Sequence, residues 1–484
     1  MSLCIYSIVY IIIPFLYCFP IILADLTFPN LLLVSFDGFR WDYMTHSNAT
    51  LNNFKWFIEN GVSARRGLQN AFITKTFPNH ITLVTGMYEE SHGIVGNIMY
   101  DPLYNDTFYG SIDQIRDPKW MDDGGEPIWV TNQKQNTKAR SGCVYWVGDG
   151  ASIKGFKPYR YLEFNKNHLL NFTSRIDKII EWFTDPSYPI NLGLLYFEEP
   201  DHTGHLFGPD SPEIDKQLTV LNNDLGYLIR RLNNTGLLPK TNVIITSDHG
   251  MAFTPADKII NLDLYITPSK YQIFQRNPIG NILPNKDVPI EQFVKNLSSV
   301  SHLHVFLKED IPESAHYKHN RRIQPLLLVP DEGYTLNSSH YSYHRQGEHG
   351  YNNSLLDMHP IFMASGPSLK KNFSVDMFEN VDLYPLMCTL LGLKPSPNNG
   401  SMKTVQAFLI PKYSSSFTTF ITYILILSLT ATLVGIYTVA SCRQQRMKHK
   451  HMSFYTSGIK FLVASSVHPT QTSLLSDSDD DVIP

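Results

Sequence analysis

Three short apolar runs stop at acidic residues, and this arrangement constrains the fold more than any other feature of the chain. Residues 31–36, Leu-Leu-Leu-Val-Ser-Phe, end at Asp37 and Gly38; residues 192–197 end at Glu198, Glu199, Pro200 and Asp201; residues 243–247, Val-Ile-Ile-Thr-Ser, end at Asp248, His249 and Gly250. Continuous apolar runs of five or six residues, with β-branched content and glycine just beyond two of them, predict strands buried on both faces, as in a parallel sheet. Amphipathic stretches over 174–183 and 214–232 predict helices laid across that sheet. The class is therefore α/β, and the strands deliver carboxylates to the edge where ligands bind in such sheets.

Two segments carry no charged side chain, 1–24 and 417–440. The first has the small residues of a secretory signal cut after Ala24; an uncleaved anchor is the alternative. The second would be about 36 Å long as a helix, enough to span a hydrocarbon core of about 30 Å. Arg443, Arg446, Lys448 and Lys450 follow it, which places the C-terminus in the cytosol by the positive-inside rule. The expected chain is a single-pass type I protein of the plasma membrane. Its parts are a signal (1–24), an extracellular catalytic domain (25–395), a Pro-, Asn- and Ser-rich stalk (396–416), one transmembrane helix (417–440) and a cytoplasmic tail (441–484) that closes on an acidic run.

Nine glycosylation sequons, at Asn48, Asn105, Asn171, Asn233, Asn296, Asn337, Asn352, Asn372 and Asn399, all fall within the expected ectodomain, in keeping with export. Cys143 and Cys388 are the only ectodomain cysteines; the sequence leaves open whether they pair. Forty Lys and Arg against 44 Asp and Glu give a formal charge of −4, so no overall positive field exists to hold a nucleic acid polymer. Protein partners leave no signature.

Asp37, Asp201, His205, Asp248, His249 and His349 are hard or borderline ligands, and several lie at predicted strand ends. Carboxylate and imidazole without thiolate suit zinc in an open, catalytic site. Asp201 and His205, four apart, share a face if their segment is helical. Thr76 stands just before the apolar stretch 81–84, near an expected helix N-terminus where an anion is favoured. A threonine hydroxyl is a weak nucleophile until a metal lowers its pKa, so Thr76 and this ligand set together point to phosphoryl or sulfuryl transfer.

Six segments then carry a resemblance: Leu33-Val-Ser-Phe-Asp-Gly-Phe-Arg40, Thr74-Lys-Thr-Phe-Pro-Asn-His80, Thr85-Gly-Met-Tyr-Glu-Glu-Ser-His-Gly-Ile94, Glu198-Glu-Pro-Asp-His-Thr-Gly-His205, Thr246-Ser-Asp-His-Gly-Met251 and Glu348-His-Gly-Tyr-Asn352. Together, in this order, they resemble the ectonucleotide pyrophosphatase/phosphodiesterase family, most of all its short membrane-anchored types 4 and 5, and type 5 in particular. The resemblance implies an alkaline-phosphatase-superfamily fold, a mixed and mostly parallel sheet sandwiched by helices, and two zinc ions. One zinc would be held by Asp201, His205 and His349, the other by Asp37, Thr76, Asp248 and His249. It further implies Thr76 as nucleophile, Asn97 as side-chain donor to the phosphate, and Phe77 and Tyr196 lining the nucleotide pocket. The implied reaction converts ATP, ADP, NAD or dinucleoside polyphosphates to nucleoside 5′-monophosphates through a nucleotidyl-threonine. The chain departs from the family pattern at Thr254 and Tyr265, where close relatives carry cysteines, at Val147 in place of proline, and at Phe164 in place of a pocket tyrosine.

Other readings compete with this one. Sulfatases share the implied fold but need a Cys/Ser-x-Pro-x-Arg segment, which the Thr76 region lacks. A phosphomonoesterase needs added positive charge for a dianion, whereas Asn97 is a neutral donor. A choline-phospholipid diesterase, or a catalytically silent adhesion or receptor module on the same scaffold, would keep these motifs.

Overall fold

The computed structural model describes residues 29–165, 169–275, 277–340, 345–411 and 415–462; the expected signal and the end of the tail lie outside them. The described chain forms two units, divided at Ile410.

The first unit is built on an eight-stranded sheet. In chain order its strands are β1 (Asn30–Phe36), β2 (Val62–Ala64), β3 (Ser141–Val144), β4 (Arg160–Leu162), β5 (Leu192–Phe197), β6 (Thr241–Thr246), β7 (Phe362–Ser365) and β8 (Phe373–Val375). Across the sheet they run β8-β2-β7-β6-β1-β5-β3-β4. The three runs singled out in the sequence become the central parallel trio, with Leu33 opposite Leu194 on one side and Ile244 on the other. β7 alone runs antiparallel to its neighbours, so the sheet is mixed and mostly parallel as expected. The central strands are buried along their length because helices cover them.

The covering helices include α1 (Thr76–Thr85), α2 (Phe172–Phe183), α3 (Asp201–Phe207), α4 (Pro212–Asn234) and α5 (Leu383–Leu391). The expected amphipathic stretches 174–183 and 214–232 are the bodies of α2 and α4. Each begins at a side-chain cap: Asn171 Oδ1 accepts from Ser174 N–H at 2.8 Å, and Ser211 Oγ from Ile214 N–H at 3.3 Å. Between β6 and His349 the chain leaves the sheet to form a lobe with its own apolar core. There a four-stranded antiparallel sheet, ordered 271–274, 280–284, 326–330, 303–307, packs with the helix Ile290–Leu297.

One sequence expectation changes, and one question the sequence left open closes. The segment expected to begin a stalk at 396 is packed on the domain as far as Ile410: Val405 and Phe408 are fully buried, and Lys370 N–H and Ile410 N–H bond to Phe408 O and Ser368 O at 2.9 and 3.0 Å. Two apolar side chains in a polar segment found a groove, which outweighs the Pro and Gly signals. Cys143 and Cys388 are both buried and both free thiols.

In the second unit the helix Ser415–Leu462 is 48 residues long, and its part Ile421–Lys448 is long and apolar enough to cross a membrane. All nine sequon asparagines are described, and none is buried.

Candidate active site

The central strands end side by side, and their carboxylates meet there. β1 runs into Asp37, whose N–H bonds to Phe197 O at 2.9 Å, and Asp201 N–H returns to Asp37 O at 2.9 Å. Glycine is required next: Gly38 has φ +68°, and a Cβ there would lie 2.9 Å from both Cα and Cβ of Asp201. Asp201 opens α3, and one helical turn later His205 presents Nε2 3.3 Å from Asp201 Oδ1. His349 enters as the chain returns from the lobe, its Nε2 3.5 Å from that same oxygen. Just beyond β6, His249 Nε2 lies 3.0 Å from Asp248 Oδ2 and 3.3 Å from Asp37 Oδ1.

Protonation of the three rings follows from their other nitrogen. Nδ1 of His205, His249 and His349 lies 2.7, 2.8 and 2.9 Å from the backbone oxygens of Gly347, Gly250 and Thr74. A carbonyl oxygen only accepts, so each Nδ1 carries a proton and in a neutral ring each Nε2 is a bare lone pair. Burial pushes His205 down to about 4 and His349 well below the usual imidazole range, so both are neutral. Their lone pairs face a carboxylate oxygen, and Asp37 Oδ1, Asp201 Oδ1 and Asp248 Oδ2 are buried without a hydrogen-bond donor among the described residues. Burial, reinforced by Asp248 and Asp201, raises the Asp37 carboxyl well above the carboxylate range. Burial would raise Asp248 too, but the His249 and His80 rings outweigh it and hold Asp248 low. Burial likewise disfavours charge on His249, and Asp248 overrides it, raising that ring. Crowded carboxylates facing imidazole lone pairs fit divalent cations, with two groups, Asp201–His205–His349 and Asp37–Asp201–His249, that have Asp201 in common.

Thr76 is the first residue of α1, half-buried, with Oγ1 3.3 Å from His249 Nε2. Phe77 N–H, one of the helix's orphan donors, bonds to Asn97 Oδ1 at 2.9 Å, so the donor of that amide is the opposite atom, Nδ2. The Phe77 ring is half-buried, edge-on to Phe108 with centroids 6.0 Å apart. Gly110 has φ +69° and sits so close that a Cβ would meet Cε2 of Phe77 at 2.5 Å. Tyr196, expected at the nucleotide pocket, has its hydroxyl on a carboxylate. Its ring is 9% exposed, with His80 and Phe164 edge-on against it, and its hydroxyl donates to Asp37 Oδ2 at 2.6 Å. That bond ties the Tyr196 hydroxyl to the Asp37 carboxylate.

Several supporting residues escaped the sequence reading. Lys75 is buried with its amine 3.6 Å from Glu348, which lies 4.0 Å from His205 Nδ1. Gly38 N–H and Ser247 Oγ lie 3.3 and 3.1 Å from Asp248 Oδ1. Arg175 is buried under the end of β5, paired with Glu198 at 2.6 and 3.0 Å and donating to Tyr196 O at 3.0 Å. The pairings of Lys75 with Glu348, Glu348 with His205 and Gly38 with Asp248 join residues far apart in sequence and carry no local pattern.

Residues 31–352 match the family described as Type I phosphodiesterase / nucleotide pyrophosphatase. The chain belongs to that family. Among relatives of this phosphodiesterase family, human ectonucleotide pyrophosphatase/phosphodiesterase family member 5 is 43% identical over 384 residues, covering 78% of each chain. The human bis(5′-adenosyl)-triphosphatase is 42% identical over 80% of this chain and 83% of its own. An inactive threonine-to-alanine variant of murine ectonucleotide pyrophosphatase/phosphodiesterase 5, solved with AMP, superposes with a TM-score of 0.75 at 42% identity, covering 79% of this chain and 100% of that one. The chain is thus a phosphoric diester hydrolase. Where the resemblance to close relatives expects cysteine, this phosphodiesterase has Thr254, buried, with its hydroxyl donating to Arg345 O at 2.6 Å and its N–H to Gln346 O at 3.0 Å.

Proposed function

We propose that this protein is a cell-surface, zinc-dependent nucleotide pyrophosphatase/phosphodiesterase that releases nucleoside 5′-monophosphates. The observation that carries the reading is the convergence of Asp37, Asp201, His205, Asp248, His249 and His349, with three carboxylate oxygens lacking a donor among the described residues, and the Thr76 hydroxyl 3.3 Å from the His249 ring of that cluster. Two zinc ions, held by Asp201, His205 and His349 and by Asp37, Thr76, Asp248 and His249, would lower the pKa of Thr76 and neutralise charge on the phosphate oxygens.

The chain's own groups do the rest. Thr76 Oγ1 attacks the α-phosphorus, and the bond to the leaving phosphate breaks, giving a nucleotidyl-threonine that water then cleaves. Asn97 Nδ2 donates to a phosphate oxygen, its orientation fixed through Oδ1 by Phe77 N–H. A neutral amide suits the single negative charge of a diester, and Lys75, the nearest cation in sequence, is engaged with Glu348. Phe77 supplies a ring for the base. Tyr196 holds Asp37. The murine relative's complex with AMP and the human relative's name favour adenine nucleotides, including diadenosine triphosphate alongside ATP, ADP and NAD. The apolar helix 421–448 would anchor the chain with its catalytic domain outside.

The test is hydrolysis of ATP, NAD and diadenosine triphosphate by the zinc-loaded full chain in detergent, with products separated by chromatography. AMP is expected from all three. Thr76→Ala should lower the rate by at least about 10³-fold, the scale for losing a nucleophile, and EDTA should abolish it. No turnover of any of the three by folded, zinc-loaded protein would overturn the nucleotide reading and leave choline lipids or a binding-only role.

A further inference from the structure

The segment 95–101 carries Asn97, and it is gripped from the lobe side at four points. Tyr317 OH donates to Val95 O at 2.6 Å, and Asn281 Nδ2 in turn donates to Tyr317 OH at 3.0 Å. Phe274 stacks on Tyr100 with centroids 5.2 Å apart. Arg321 and Arg322 bond to Asp101 at 2.7–3.1 Å. The fourth grip falls on Asn97 itself. Gln275 Oε1 accepts the N–H of Asn97 at 2.8 Å and that of Ile98 at 3.4 Å. Backbone N–H only donates, so it is the amide oxygen of Gln275 that faces them.

Gln275 is built for this contact. It follows the strand 271–274 with φ +49°, a conformation that a side-chain-bearing residue holds only when its surroundings impose it, and it is 3% exposed. Gly96 lies directly against it, where a Cβ would sit 3.0 Å from Oε1. Among the described residues Gln275 is the lobe residue that bonds to the Asn97 backbone, across 178 positions of sequence. Asn97 in turn bonds through Oδ1 to Phe77 N–H, beside Thr76.

We infer that Gln275 is a positioning residue for the reaction: through the Asn97 backbone it fixes the amide that donates to the phosphate, so the lobe sets the geometry of that donor. This rests on the reading of Asn97 given above. Because the contact is to backbone, Gln275 acts on where the amide points and contributes nothing to metal binding.

The test is a double-mutant cycle on the zinc-loaded full chain with p-nitrophenyl-TMP, measuring kcat, KM, zinc content and Tm. Asn97→Ala should lower kcat/KM by about 10²-fold, the scale for one transition-state donor. Gln275→Met, which keeps length and loses the acceptor, should lower kcat by about 10-fold, the scale for a supporting contact, with zinc content and KM unchanged. The double variant should be no slower than Asn97→Ala alone. Gln275→Glu, which retains an acceptor oxygen, should recover most of the rate. If Gln275→Met does not fold, Gln275→Asn, too short to reach, takes its place with the same expectation. A native rate for folded Gln275→Met, or for Gln275→Asn in its place, or a further 10-fold loss added to Asn97→Ala, overturns the inference while leaving the reading of Asn97 intact. A native rate for Asn97→Ala, with Thr76→Ala dead, overturns that reading and the inference with it.

Discussion

The two walls of the site are built differently. On the metal-facing wall every candidate ligand except His349 leaves a central strand end or the first turns of a following helix, and each histidine is locked by a carbonyl on its far nitrogen. On the wall where the nucleotide is proposed to lie, Phe77 and Phe164 are half-buried, with ring edges of Phe108 and Tyr196 against them. A reaction that depends on charge placed to within fractions of an ångström needs the first construction; a pocket that selects among substrates by a few kcal/mol can be served by the second. The departures from the family pattern agree with this division. Val147, Thr254, Tyr265 and Phe164 are not among the candidate metal ligands.

That contrast can be broken by substitution on either wall. The largest effect is expected from Asp201→Ala, since Asp201 Oδ1 faces both His205 and His349. Turnover of p-nitrophenyl-TMP should fall by at least about 10³-fold, with zinc content by atomic absorption below that of the parent protein; full zinc with native turnover would remove Asp201 from the site. Next in size is Tyr196→Phe, which takes the donor from Asp37 Oδ2 and leaves the ring. Zinc affinity, measured by competition with a chelator, should weaken about 10- to 100-fold, and KM for nucleotide at saturating zinc should hold. A raised KM with unchanged zinc affinity would return Tyr196 to the nucleotide wall. The smallest change is expected from Phe77→Ala, which should raise KM for ATP about 5- to 10-fold, the size of one aromatic stacking contact, at nearly constant kcat. A loss confined to kcat would mean that the ring serves the helix bearing Thr76.

The convergence of the acidic and histidine cluster was largely legible in the sequence because its residues sit where apolar runs stop. Asp37, Asp201 and Asp248 are marked by the strands before them, and Thr76 by the helix after it. Strand period also brings Tyr196 into β5, but whether its hydroxyl meets a carboxylate or a base is decided by packing between strands. Gln275, and the pair of Lys75 with Glu348, are invisible for a related reason: each contact spans more than 150 positions with no repeat to announce it. The stalk was misread because Pro, Asn and Gly signal irregular backbone, and irregular backbone packs as well as it dangles once Val405 and Phe408 have a groove to fill.

None of Cys143, Cys388 and Cys442 is cross-linked, and Thr254 makes a hydrogen bond where relatives are expected to carry a half-cystine. Among its described residues the catalytic unit, large enough to be held by apolar burial without covalent staples, holds no disulfide. A reducing environment therefore takes no stabilising covalent bond from those residues.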